Sequence, residues 1–434
     1  MISAQNMTKL RIFKSTRQRP KAAARWWREK SFAYWIMLVF LTAGTLAISY
    51  ASAKNVIGNI SRRQNPSLAL SVVPSEPVAL TFIADQQFIA SQTPSSLGKV
   101  ERMARRALLR QPLNASAVRL MGYVADARGE KDRARKLITT AAGLSRREFG
   151  AQLWLIEDAV ARKDTLGALQ HYDTALRSTA SSGSILIPTL TGALGDPEVR
   201  LGLAPYVRQR AAWVPAFLAD AIANSNNPAD VANILLRAGK LPSNEEYRNI
   251  SDSLLAKLAE KNMFSTFQQL YRSLPKSRPT TLDSIGMNKD TVSLSYPVAG
   301  WSIIDHPAAG GRFSEAADNG AISARLFAGS GERQLLMRKY TFYKPGNYRF
   351  KASYDVIQTT SNGQIQWNFQ CLSANENTPI WQSIARLNKS SGSTEEAFTI
   401  PADCNNQQLS ISVAGGAEQT GVELVLQAMS IMPI

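Results

Sequence analysis

From Phe32 to Ala53 the chain runs 22 residues without a formal charge, and this stretch constrains the fold more than any other. As a helix rising about 1.5 Å per residue it spans about 33 Å, enough for a hydrocarbon core of about 30 Å. Residues 1–31 carry nine Lys/Arg and one acid, a charge of +8, while only Lys54, Arg62 and Arg63 follow closely. The positive-inside rule then predicts a cytoplasmic N-terminus and an outward-facing remainder. Trp26, Trp27 and Trp35 lie near the cytoplasmic end, where amphipathic indoles favour the headgroup level. Two other readings compete, a cleaved signal and a buried core helix. Ala51 and Ala53 in "YASAK" do form the small-residue pattern of a cleavage site. A signal's apolar region is shorter, about 7–15 residues, so a retained single-pass anchor is the expectation. The basic tail 1–31 then sets topology and is not a nucleic-acid patch.

The remaining charge is unevenly spread, with +10 over residues 99–280 and −1 over 287–434, out of +17 for all 434 residues. That boundary matches a change of texture. Residues 54–78, with Pro66, Pro74 and Pro77, read as a linker; 79–274 are Ala/Leu-rich and helical in pattern; 275–289, with Pro275, Pro279 and Gly286, read as a second linker. Within the helical part Ala107, Ala141 and Ala175 recur every 34 residues, as do Ala134 and Ala168, Ile138 and Tyr172, and Met121 and Leu155. Antiparallel helices meet closely only where one side chain is small, so alanine recurs at the crossing and larger apolar residues fill the groove beside it.

The segment "ALLRQPLNASAVRLMGYVADARGEKDRARKLITTAA" resembles the tetratricopeptide repeat family. It has Pro112 after one helix, Met121-Gly122 in the next, the turn "RGEKD", then Ala134, Ile138 and Ala141. The following copy departs, with Ile156 where the small glycine is expected and Ala180 where the proline is expected. Beyond Ser181 only helical texture extends the pattern. The resemblance implies a solenoid whose concave surface takes protein partners. Its basic balance points to an acidic partner or polymer, or simply to solvated helix faces.

Residues 290–434 alternate. In "NYRFKASYDV" Tyr348, Phe350, Ala352, Tyr354 and Val356 share one face; in "QIQWNFQC" Ile365, Trp367, Phe369 and Cys371 do, with polar residues between. "KPGN" at 344–347 reads as a hairpin turn. Many short strands argue for a β-sandwich or jelly roll. The predicted fold class is therefore multidomain: one N-terminal transmembrane helix (32–53), an all-α tetratricopeptide-like solenoid (79–274) and an all-β jelly roll or sandwich (290–434). Cys371 and Cys404 are the only cysteines, and outside a reducing cytosol two thiols in one small domain are expected to pair. The alternative is two buried free thiols. With no histidine near them they make no metal site.

The phrases "GWSI", "FYKPGNYRF", "WNFQC" and "FTIPADC" resemble carbohydrate-binding jelly rolls of the galactose-binding type. That resemblance implies an aromatic platform for a sugar ring, with Trp381 and Trp301 as ligand-binding candidates. Trp367 falls on the apolar face and reads as core. Catalytic signals are lacking: His171 and His306 stand apart, Glu395-Glu396 are adjacent in sequence, and no G-x-S-x-G, H-E-x-x-H or P-loop occurs. The expectation is a non-enzymatic protein with no cofactor, anchored in the inner membrane with its C-terminus periplasmic. It binds protein partners through the helices and, as a second ligand, polysaccharide through the jelly roll. A glycan-modifying enzyme and a purely structural envelope subunit are the alternatives.

Overall fold

The first helix, α1 (Phe32–Gln64), turns its apolar side chains outward, with Phe40 73%, Leu46 71% and Ile48 69% exposed. In this computed structural model, which describes residues 32–292, 295–315, 321–331, 333–372, 377–416 and 421–434, it is the one helix long and apolar enough to cross a membrane. The tail 1–31, with Trp26 and Trp27, lies outside the described residues. α1 does not end at Ala53. Nothing in "KNVIGNISRRQ" breaks a helix, and it runs on to Gln64. Asn65 then caps α2 (Pro66–Val72), its side chain accepting from the Leu68 N–H. Pro66 and Pro77 open helices rather than marking an extended linker, because the first helical position needs no N–H and favours the fixed proline φ.

The chain divides into two compact units, Met1–Leu144 and Ser145–Ile434. The first continues with α3 (Pro77–Ala90), α4 (Pro94–Arg110), α5 (Ala115–Ala127) and α6 (Lys131–Leu144). Thr93 and Asn114 cap α4 and α5. Ala107, Ala134, Ile138 and Ala141, positions of the 34-residue recurrence, are fully buried. A Cβ at Gly122 would overlap Ile138 Cγ1, so α5 and α6 approach closely because residue 122 has no side chain.

The second unit begins with α7 (Phe149–Ala161), α8 (Thr165–Ser178), α9 (Gly183–Gly192), α10 (Pro197–Arg208), α11 (Val214–Asn224), α12 (Pro228–Ala238), α13 (Glu245–Glu260) and α14 (Phe264–Ser273). Ten strands follow among the described residues: β1 (Ser302–Ile303), β2 (Ala309–Glu315), β3 (Ile322–Ala328), β4 (Arg333–Thr341), β5 (Gly346–Gln358), β6 (Gln364–Cys371), β7 (Thr378–Arg386), β8 (Ser391–Ile400), β9 (Gln407–Ala414) and β10 (Val422–Pro433). They form two five-stranded antiparallel sheets, β1-β4-β9-β6-β7 and β2-β3-β10-β5-β8. The period-2 patterns face their apolar sets together: Phe350, Ile365, Trp367, Phe369, Leu409, Ile411, Leu424 and Leu426 are all fully buried. "KPGN" is not a hairpin, because β4 and β5 belong to different sheets. It is a corner held by Gln407, whose Nε2 donates to Tyr343 O at 3.0 Å while its Oε1 accepts from Tyr343 N at 2.9 Å.

The helices and the sandwich of this unit share one apolar cluster. Phe264 and Phe267 of α14 meet Tyr340 at 5.4 and 6.3 Å, and Phe342 at 6.2 and 5.9 Å. Residues 275–289 are tied into this joint: Thr281, Leu282 and Ile285 are buried, Phe342 N donates to Leu282 O, and Tyr296 Oη donates to Pro275 O at 2.8 Å. Their prolines and glycine shape a fixed path and not a free hinge.

Lys339 is sealed at this junction, fully buried, with Nζ donating to Ala299 O at 2.9 Å. Burial depresses its ammonium to about 7, with Asp283 partly opposing the shift. The unfolded chain keeps that proton up to the ordinary lysine range. It therefore binds more protons than the folded chain between about pH 7 and the lysine range near 10.4, and stability rises with pH there. Below about pH 7 both states are protonated and the full penalty remains. The wild type should thus gain about 2 kcal/mol between about pH 7 and pH 9, and Lys339→Met should remove that gain. Chemical denaturation at both pH values checks this; equal pH slopes for the two proteins would refute it.

Candidate functional site: the outer face of the β1-β4-β9-β6-β7 sheet

Alternation turns half of each strand away from the core. On β6 the outward set is Gln364, Gln366, Asn368 and Gln370; on β9 it is Gln408, Ser410 and Ser412. Register then makes rows across strands. Arg338 of β4 stands opposite Ser410, Ser410 opposite Asn368, and Asn368 opposite Gln382 of β7. With strands about 4.8 Å apart, this row of polar groups extends about 14 Å. Parallel to it, Ser412, Gln366 and Ile384 form a second row, and Arg333, Ala414, Gln364 and Arg386 a third. Tyr340 ends the face, where Phe264 and Phe267 cover it, so α14 walls one side.

The five strands of this sheet contain no Asp or Glu, while Arg333, Arg338 and Arg386 are on its outer face. The opposite sheet is different. There Arg325 pairs with Glu423, Arg349 and Lys351 pair with Glu395 at 3.3 and 3.1 Å, and Gln427 Nε2 donates to Asp355 at 2.8 Å. These charges of the outer surface are paired within it.

Hydrogen bonding on the amide face is incomplete. Arg333 donates to Gln364 Oε1 at 2.8 Å, and Ser410 Oγ donates to Asn368 O at 3.2 Å. Gln366 Oε1 and Arg338 Nε are buried without a partner. A buried polar atom without a partner costs the folded chain about 1–3 kcal/mol. The guanidinium of Arg338 lies 5.8 Å from the Tyr340 ring centroid, which holds its plane. Beside the face, a cleft of about 760 Å³ opens where β5 and β8 meet the loop after β7, lined by Asp355, Arg386, Asn388, Lys389 and Gln427 among others.

The tryptophan candidates are not on this face. Trp301 is 3% exposed and its Nε1 donates to Ile285 O at 3.0 Å, so its indole belongs to the core. Trp381 turns inward from edge strand β7, 4.7 Å from Phe350 and stacked at 5.9 Å on Phe398. It closes the open edge of the sandwich instead of offering a platform. Trp367 is fully buried. Cys371 and Cys404 are joined, Cα to Cα 5.7 Å, tying the end of β6 to the connection before β9. His171 lies 2.9 Å from Gln152 Oε1, and burial lowers its pKa. His306 lies 2.9 Å from Leu335 O. Among the described residues no group of three His, Cys, Asp or Glu could hold a metal ion. The amides themselves were visible in "QIQWNFQC" as the polar half of an alternation. What sequence reading missed was the pairing that brings Ser410, Arg338 and Gln382 into line with them.

No protein-family model matches the chain, and no curated protein matches it in sequence. Similar solved structures include TmCBM61 in complex with β-1,4-galactotriose (12% identity, 32% of this chain and 90% of that one, TM-score 0.24). A structure described as "CBM4 structure and function" matches at 15% identity over 36% of this chain and 99% of that one, TM-score 0.24. The CBM22-1 xylan-binding domain from Paenibacillus barcinonensis Xyn10C matches at 9% identity over 35% and 94%, TM-score 0.25.

Proposed function

We propose that this protein is a non-enzymatic, membrane-anchored scaffold that holds an acidic glycan on the outer face of the β1-β4-β9-β6-β7 sheet. The observation that carries the reading is the carboxylate-free grid of amides, hydroxyls and arginines that register brings together on this face. Amide and hydroxyl groups match sugar hydroxyls as donors and acceptors, and guanidinium matches a sugar carboxylate in a two-point bond. Most glycosidases flank the scissile bond with two carboxyl groups, and the strands of this face carry none. α1 acts as an inner-membrane anchor with the N-terminus cytoplasmic and the C-terminus periplasmic. The charge bias around it and the Cys371–Cys404 bridge, a bond of oxidising compartments, support that orientation. The helices, tetratricopeptide-like between 81 and 180, take protein partners, and the role is assembly or export of polysaccharide.

The test is affinity of the detergent-solubilised full chain for a uronic-acid polymer and for its neutral counterpart. The uronate polymer should bind, and Arg338→Gln should weaken it about tenfold, the loss of one charge-assisted hydrogen bond. Full-length protein that retained neither polymer, or an Arg338→Gln variant that bound like wild type, would sink the reading.

A further inference from the structure

A second cleft, of about 480 Å³, opens where α1 leaves its charge-free stretch. Its walls are Ala51, Lys54, Asn55 and Asn59 of α1, the turn Val73–Pro77, and Arg110 at the end of α4. α1 and the turn touch so closely that a Cβ on Gly58 would lie 2.9 Å from Val73 Cγ2. Lys54 and Arg110 are the cations here, and among the described residues neither has an ion-pair partner. Glu76 also lines the cleft, but its carboxylate accepts from the Ala79 N–H as the cap of α3. Two cations beside amide and hydroxyl side chains make a site for an oxyanion.

The surroundings say which oxyanion. Leu109 and Leu113, either side of Arg110, are 85% and 73% exposed, and α1 past Lys54 exposes Val56, Ile57 and Ile60. Exposed leucines beside unpaired cations at the edge of a membrane span fit the level where acyl chains give way to headgroups. We propose that this cleft holds the phosphate of an anionic phospholipid headgroup from the leaflet that α1 exits. Lys54 and Arg110 engage the phosphate, Asn55 and Ser75 reach headgroup hydroxyls, and Leu109 and Leu113 rest among the upper acyl carbons. The proposal rests on reading α1 as a membrane anchor.

The experiment uses the full chain in nanodiscs of phosphatidylcholine with a minority of phosphatidylglycerol, followed by native mass spectrometry of retained lipid. Wild type should retain phosphatidylglycerol about tenfold above its share, as two cations near a surface predict. The double variant Lys54→Gln/Arg110→Gln should fall to the bulk ratio, and the charge-preserving Lys54→Arg/Arg110→Lys should keep the enrichment. Equal enrichment in wild type and the glutamine variant, or none in wild type, overturns the proposal. Inorganic phosphate bound by the chain in lipid-free detergent, without phosphatidylglycerol enrichment, reassigns the cleft to free phosphate and also overturns it. A chain that fails to enter nanodiscs refutes the anchor; one that enters without selecting lipid refutes the cleft alone.

Discussion

Phe267→Ala should cost the 145–434 unit about 3–5 kcal/mol, the range for deleting a buried phenyl ring. Phe267 has no exposed surface and touches rings from both sides of the joint: Phe264 and Tyr271 on its own helix, Tyr340 and Phe342 from the sandwich. Neither side can collapse into the space without moving the other. The loss should therefore appear in a single unfolding transition that moves helical and sheet signals together. Far-ultraviolet and near-ultraviolet circular dichroism, followed through one denaturant titration of the full chain, measure both. A loss below about 1 kcal/mol would show that the cluster is not the joint described here.

Replacing the bridge, with Cys371→Ser/Cys404→Ser, should destabilise the sandwich by about 3–4 kcal/mol, from the entropy returned to a 33-residue separation in the unfolded chain. In a unit of this size that corresponds to a fall in Tm of roughly 5–10 °C. The bridge fixes the end of β6, the strand that carries Gln366 and Asn368, so on the proposed reading of this face glycan affinity should weaken before the fold is lost. Thermal unfolding of wild type and variant checks the first effect, and polymer binding at a temperature where both are folded checks the second. An unchanged Tm would mean the loop is already confined by Gln407, which binds Tyr343 and donates to Cys404 O at 2.9 Å.

Much of the architecture was legible. Twenty-two charge-free residues specify a helix that exposes its apolar side chains, since no polar face exists to set against water. The inward sets of β5 and β6 follow from a period of two, and both cysteines lay where they could meet. Linkers were harder, because proline is ambiguous: Pro66 and Pro77 begin helices, and only the neighbouring caps at Asn65 and Glu76 say so. Trp381 shows the same limit. Its place in "NTPIWQSIARL" fits a core position or an exposed platform, and the choice depends on Phe350 and Phe398, from strands distant in sequence.

By itself, then, the sequence determined the membrane-length helix, the alternation of helical and strand texture, and the close helix crossings at recurring small residues. These depend on periodicity and side-chain size along a few turns, which are local quantities. The tertiary structure alone decided that the helices and sandwich of residues 145–434 share one apolar cluster. It also decided that one sheet carries carboxylates paired with cations while the strands of the other carry amides and arginines without a carboxylate, and that Lys54 and Arg110 share a cleft. Each depends on which segments pair across long separations. Pairing is chosen by the packing of the whole unit, so no single window of sequence contains it.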